Sequence, residues 1–157
     1  MLRARTTKAP PLSAVGLRFG IVAARYNDDM ADALLSNCLD TLAKAGTDPR
    51  DIRVVRVPGS FEVSAPAAKL AKLGKVDCVI GLGIVLQGET SHAHHIANAV
   101  AYGLTAIAIE TGVPTVFGIV TANNLKQARV RCLGKHHNRG REAALTAIEM
   151  ARLWKKL

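Results

Sequence analysis

The chain has 157 residues, 49% of them apolar and 21% charged, which suits a single globular domain with a sizeable core and excludes a disordered or fibrous chain. Its formal net charge of +9 leaves three readings open: nucleic-acid binding, an anionic substrate, or a solvated basic surface. No apolar run is long enough to span a membrane, and the three cysteines (Cys38, Cys78, Cys132) are scattered without a CxxC pair, so neither a disulfide framework nor a zinc ribbon is indicated. Residues 1–16 hold basic and small residues and Pro10-Pro11, which blocks a helix. They lack the apolar segment of a secretory signal and read as a flexible arm on one domain over 17–157, with a cytoplasmic location expected. Cys38 and Cys78 sit in apolar patterns and read as buried thiols of a reducing compartment.

From residue 17 the pattern becomes regular. Arg18–Ala23 predicts a buried strand, and Tyr26-Asn27-Asp28-Asp29 supplies loop and N-cap chemistry. A helix follows with Met30, Leu34, Cys38 and Leu42 on one face and Gly46 at its C-terminal end. Ile52–Val57 predicts a second strand, Pro58-Gly59-Ser60 breaks it, and Phe61–Leu73 fits a helix that tolerates Pro66 in its first turn. Asp77–Leu82 predicts a third strand and Gly83–Ser91 a loop. His92 to about Thr111 reads as a long helix through Ile96, Val100, Leu104 and Ile107, although its LTAIAI run also fits a strand. Thr115–Thr121 predicts a fourth strand, Asn123 or Asn124 caps a helix to Leu133, and Gly140–Lys156 forms the last helix, with Ala144, Ile148, Ala151 and Leu153 near one face. Strands that alternate with helices and read as apolar on both faces predict a three-layer α/β/α sandwich around a four-stranded parallel sheet, flavodoxin-like in class.

In such sheets ligands bind at the carboxyl ends of the strands. There the sequence places Arg25-Tyr26-Asn27, Pro58-Gly59-Ser60-Phe61-Glu62, Gly83 to His92, and Thr121 to Asn124. Gly88-Glu89-Thr90-Ser91 leads into a helix whose free N–H groups, with the Thr90 hydroxyl, suit a phosphate. His92 then stands beside the anion as a group able to give and take protons near neutral pH. A plain capping loop with a solvated histidine fits the same residues. Phe61 and Tyr26 offer rings for stacking and Glu62 a carboxylate for heterocycle N–H donors; a core Phe and a packed loop Tyr are the ordinary alternatives. Arg131 could clamp a phosphate or be merely solvated. His92, His94 and His95 lack metal-binding spacing, as do the adjacent His136 and His137, so no metal is expected, and His94 and His95 read as surface or interface residues. Lys126, Arg129, Arg131, Lys135, Arg139 and Arg141 form the better candidate for an anion site. No nucleic-acid module accompanies them, and neither nucleic acid nor membrane is expected as a partner.

Taken together, RYN, VPGSFE, LGIVLQGETSH, TGVPTVFGIVT and NRGREAALTAIEMARL, in this order and spacing from Gly20 to about Leu153, resemble the lumazine synthase family. The resemblance implies condensation of 5-amino-6-(D-ribitylamino)uracil with 3,4-dihydroxy-2-butanone 4-phosphate to 6,7-dimethyl-8-ribityllumazine in riboflavin biosynthesis, a transferase reaction without cofactor or metal. It implies that Tyr26 and Phe61 pack on the pyrimidine and that Ser60, Phe61 and Glu62 bind its polar edge and ribityl chain. Ile84, Val85 and Leu86 would line the pocket, Glu89 and Thr90 hold the phosphate, and His92 transfer protons. Phe117 and Arg131 would come from a neighbouring subunit of a homopentamer, Arg131 on the phosphate. The resemblance also points to riboflavin synthase as a partner. Ala93-His94 stand where the family usually has an aromatic and an acid, and Arg139 where it often has Lys. The stretch before the last helix carries no extra residues, which implies pentamers assembled into an icosahedral shell. A non-catalytic flavin- or lumazine-binding paralogue is the rival reading.

Overall fold

The computed structural model describes residues 12–157; residues 1–11, where most of the expected arm falls, lie outside the described residues. The last residues of that arm are packed onto the domain. Ala14 is fully buried, its amide donates to Ala45 O at 2.8 Å, and the Arg152 guanidinium donates to Ser13 O and Val15 O.

Four parallel strands form the sheet: β1 (Phe19–Ala24), β2 (Ile52–Val57), β3 (Cys78–Leu86) and β4 (Thr115–Ala122), in the order β2-β1-β3-β4. Among the described residues five α-helices cover it: α1 (Asp28–Lys44), α2 (Ser64–Lys72), α3 (His92–Thr111), α4 (Leu125–Leu133) and α5 (Arg139–Trp154). The two-residue side-chain period sorts the strands into two cores. Phe19, Ile21, Ala23, Cys78, Ile80, Leu82 and Val116 meet α1 and α5 through Cys38, Leu42, Ala144 and Ile148. On the other face Val22, Ala24, Val79, Val85 and Ile119 meet α2 and α3 through Leu70, Val100, Leu104 and Ile107. Each large buried side chain adds about 1.5–3 kcal/mol. The expected α/β/α sandwich is what the chain forms.

The boundaries differ in instructive ways. β3 runs four residues past Leu82, because Gly83 to Leu86 pair with Ile119 to Ala122 of β4. Gly83 reads as loop but lies in the sheet. β2 is only partly covered on either face: Arg53 on one side and Val54 and Arg56 on the other are exposed because it is an edge strand, so the expectation of two buried faces fails there. The single helix expected over Phe61–Leu73 is a 3-10 helix over Ser60–Val63 followed by α2. Leu153 points out from α5 at 45% exposure, and Ala143 and Ala147 take the core positions beside Ala144 and Ile148. α1 ends as expected at Gly46, which has φ +102°. The Gly46 amide donates to Ala43 O and the Thr47 amide to Leu42 O, closing the helix in the Schellman pattern.

Two side-chain networks hold the elements in place. The Arg18 amide and guanidinium donate to the Asp77 carboxylate, which Lys155 also approaches, so one half-buried acid ties the starts of β1 and β3 to the end of α5. Burial alone would raise the Asp77 carboxyl, but the hydrogen bonds and charge of Arg18 outweigh it and hold the group below the usual carboxylate range. Asn138, 2% exposed, caps α5 at the Arg141 amide and donates to Cys132 O and Gly134 O, locking the turn between α4 and α5.

Candidate active site

The carboxyl ends of β1, β2 and β3 open into a cavity of about 660 Å³. Its walls bring together Tyr26, Ser60, Phe61, Glu62, Ile84, Val85, Leu86 and His92, eight residues singled out from sequence. Phe61 and Tyr26 are 61% and 64% exposed, so neither is a core ring and both are open to a flat ligand. The Tyr26 ring lies over Gly59 so closely that a Cβ there would come within 2.8 Å of it. That contact sets one wall of the cavity, and a Cβ at position 59 would push the Tyr26 ring aside.

The backbone beneath these rings is built with some strain. Asn27, between β1 and α1, has φ 66°, the one non-glycine with positive φ among the described residues. Asn tolerates this region better than most residues, and such conformations gather at functional sites. The Arg25 and Tyr26 amides donate to Pro58 O, joining the first and second loops. Glu62 Oε2 accepts from the Gly59 amide at 3.0 Å, which starts the 3-10 helix. Ser60 is buried, and its hydroxyl donates to Ile84 O at 3.2 Å. Its hydroxyl is thus a tie between the 3-10 helix and β3.

His92 opens α3 at the cavity. Its amide donates to Thr90 Oγ1, and Gln87 Nε2 donates to Gly88 O and Thr90 O, so the loop before α3 braces itself. Glu89 and Thr90 stand in that exposed loop, outside the residues that line the cavity. Ser91, the N-cap, makes no side-chain cap bond. His95 is exposed, as expected of a surface residue, and it also lines the cavity with His92, Ala93, Ile96 and Ala99. The helical spacing of 92, 95, 96 and 99 was the signal for that shared face. Asn27 and Gly59 are the other lining residues that sequence reasoning did not single out. His94 turns away, with Asn98 Nδ2 3.0 Å from its Nε2.

Arg131 is not brought to this cavity within one chain. With Thr121, Ala122, Asn124, Lys126, Gln127 and Val130 it lines a separate hollow of about 550 Å³ beyond β4. Phe117 on β4 is 38% exposed and lines neither space. Much of the basic cluster is engaged locally. Arg129 pairs with Asp29 at 2.8 Å, Arg139 with Glu142 at 3.3 Å, and Arg141 donates to Lys135 O and His136 O. The Arg129 hydrogen bond, helped by the Met30 amide, lowers the Asp29 carboxyl. Among the described residues no three His, Cys, Asp or Glu side chains group as a metal site, and no helix is long and apolar enough to cross a membrane.

One chain therefore offers an aromatic, polar-edged cavity with imidazoles at its rim and a separate cationic hollow, a division that suits a heterocycle and an anion. Comparison with known proteins agrees with that chemistry. The 6,7-dimethyl-8-ribityllumazine synthase family model matches residues 16–155. The 6,7-dimethyl-8-ribityllumazine synthase of Aquifex aeolicus (strain VF5) is 45% identical over 146 residues, covering 93% of this chain and 95% of the relative. By a match that spans the whole sheet and every cavity-lining loop, this chain belongs to the 6,7-dimethyl-8-ribityllumazine synthase family.

Proposed function

We propose that this chain condenses 5-amino-6-(D-ribitylamino)uracil with 3,4-dihydroxy-2-butanone 4-phosphate to give 6,7-dimethyl-8-ribityllumazine, a transferase step of riboflavin biosynthesis. The observation that carries this reading is the convergence of the three family loops, VPGSFE, LGIVLQGETSH and RYN, on one cavity with His92 at its rim. Phe61 and Tyr26 hold the pyrimidine between their rings. Glu62 presents its carboxylate to the N–H edge, while Ser60 fixes the turn that carries both Phe61 and Glu62. Backbone groups of Ile84, Val85 and Leu86 border the ring. Glu89 and Thr90 take the phosphate through main chain and hydroxyl at the start of α3.

The reaction forms an imine, eliminates phosphate, tautomerises and closes a ring. Each step moves a proton, so positioning and an imidazole supply the catalysis. His92 removes and returns those protons. Arg131 and Phe117 act from a neighbouring copy, Arg131 on the phosphate. Their separation from the cavity within one chain supports a site completed between subunits of a pentamer. Pentamers then close into a shell, with riboflavin synthase as a partner, in a cytoplasm that keeps the three buried cysteines reduced.

The test is an absorbance assay for lumazine formation from the two substrates, with His92→Ala and Arg131→Ala beside the wild type. His92→Ala is expected to lose about 10²–10⁴-fold in kcat, and Arg131→Ala to raise KM for the sugar phosphate. At sugar-phosphate concentrations well below the raised KM, where Arg131→Ala is nearly silent, co-assembly of the two variants is expected to restore activity, because about one site in four then draws an intact His92 and an intact Arg131 from different copies of the ring. No product from folded wild type overturns the function. Product without complementation overturns the shared site.

A further inference from the structure

On the reading that the cavity performs this condensation, we propose that His95 is a second proton-transfer residue of the site, held in place by Ser91 and acting as the acid to His92's base. The two imidazoles stand three residues apart on α3 and line the same cavity. Ser91 Oγ lies 3.1 Å from His95 Nε2, an i, i+4 contact that pins one ring nitrogen. In either tautomer this leaves Nδ1 as the nitrogen for a ligand. His94 shows what the pairing achieves. It is adjacent in sequence, its ring centroid is 6.3 Å from that of His95, and the planes cross at 66°. Yet it pairs with Asn98 and lines a smaller hollow with Gln87 and Thr121. The titratable groups facing His95 are Tyr26 from the β1–α1 loop, Glu62 from the 3-10 helix, and His92 and His94 from α3 itself.

The step that needs two groups is loss of water from the carbinolamine formed when the pyrimidine amine adds to the ketone. His95, as imidazolium, gives its Nδ1 proton to the leaving hydroxyl. The C–O bond breaks, the nitrogen lone pair forms C=N, and water departs. The iminium N–H proton passes to His92. One proton is given and one taken, so the pair is re-set by a single transfer between His92 and His95 through solvent. A lone imidazole must do both jobs in turn.

The experiment measures kcat and KM against pH for wild type, His95→Gln, Ser91→Ala, His92→Ala and the His92→Ala/His95→Gln double variant. Gln is a good helix former and keeps a polar head but does not titrate. An acid must be protonated, so activity that depends on it is lost as pH rises through its pKa. His95→Gln is therefore expected to lower kcat about tenfold with KM little changed and to abolish the alkaline inflection. Ser91→Ala keeps the inflection with a smaller loss. In the double variant kcat falls about a further tenfold below His92→Ala. A binding readout accompanies this: ¹⁵N imidazole signals of His95 shift when the ribitylamino-uracil alone is added. An active wild type whose His95→Gln variant keeps the parental kcat and pH profile overturns the role of His95 alone, as does an unmoved His95 signal. A wild type that makes no lumazine overturns the parent reading and this one with it.

Discussion

Replacing Gly83 by Ala probes the joint that holds the site to the sheet. A Cβ at Gly83 would lie 2.4 Å from Ser60 Oγ, 3.2 Å from Ala24 Cβ and 3.3 Å from Ile119 Cδ1. The first contact is untenable, so Ser60 must move and its bond to Ile84 O breaks. Overpacking costs about 1–3 kcal/mol, and the lost hydrogen bond about 1 kcal/mol more. The total of about 2–4 kcal/mol lowers Tm by about 4–15 °C in a domain of this size. Because Phe61 and Glu62 ride on the same 3-10 helix, KM for the pyrimidine rises with it. Ser60→Ala alone loses only the bond. In Gly83→Ala/Ser60→Ala the clash with the hydroxyl is gone and the Ala24 and Ile119 contacts need only small adjustment. The double variant is therefore expected to be more stable than Gly83→Ala alone, a reversal of sign that independent sites cannot give. Urea unfolding of all four proteins at one concentration measures it, since assembly also adds stability. A Gly83→Ala protein as stable as wild type, or a double variant worse than either single, refutes the reasoning.

Acid titration tests the Asp77 network. Its carboxyl is lowered in the folded chain, so the stability it contributes is fully present above the ordinary carboxylate pKa of about 3.9 and is lost as pH falls through the lowered folded value. Urea unfolding should therefore show Asp77→Asn less stable than wild type near pH 6, with the gap closing below about pH 4; a gap independent of pH contradicts this. Asn138→Ala removes the α5 cap and the Nδ2 that donates to Cys132 O and Gly134 O, and should cost about 2–4 kcal/mol by the same method. Burial pushes the Cys38 thiol up to about 12 and Cys132 up to about 11, and raises Cys78 further, with Cys38 and Asp77 adding to the effect of burial. All three should resist iodoacetamide at about pH 8 in the folded protein and react in urea, as mass spectrometry would show.

What the sequence made legible follows from how local each determinant is. The apolar face of α1 and the span of α3 are written in side-chain period alone, and both formed as read. The ends of β3 and the exposure of β2 depend on partners elsewhere in the chain. Gly83 lies in a strand because β4 pairs with it, and Arg53 and Arg56 are exposed because, among the described residues, no strand lies beyond β2. The cavity residues were legible as types, since rings, a carboxylate and an imidazole gathered after strands are hard to explain otherwise. Their commitments were not. The Ser60 hydroxyl serves Ile84, 24 residues away, and Glu62 holds the Gly59 amide. His95 is exposed as its sequence suggests, but its place at the cavity went unread. Its face was computable from the helix already expected at His92, but its neighbour His94 obscured it, because adjacent histidines invite one shared reading while a helix turns them about 100° apart. Chemistry on a helix is set by the face rather than by the run of residue types, so the two imidazoles three residues apart belong together and the one between does not.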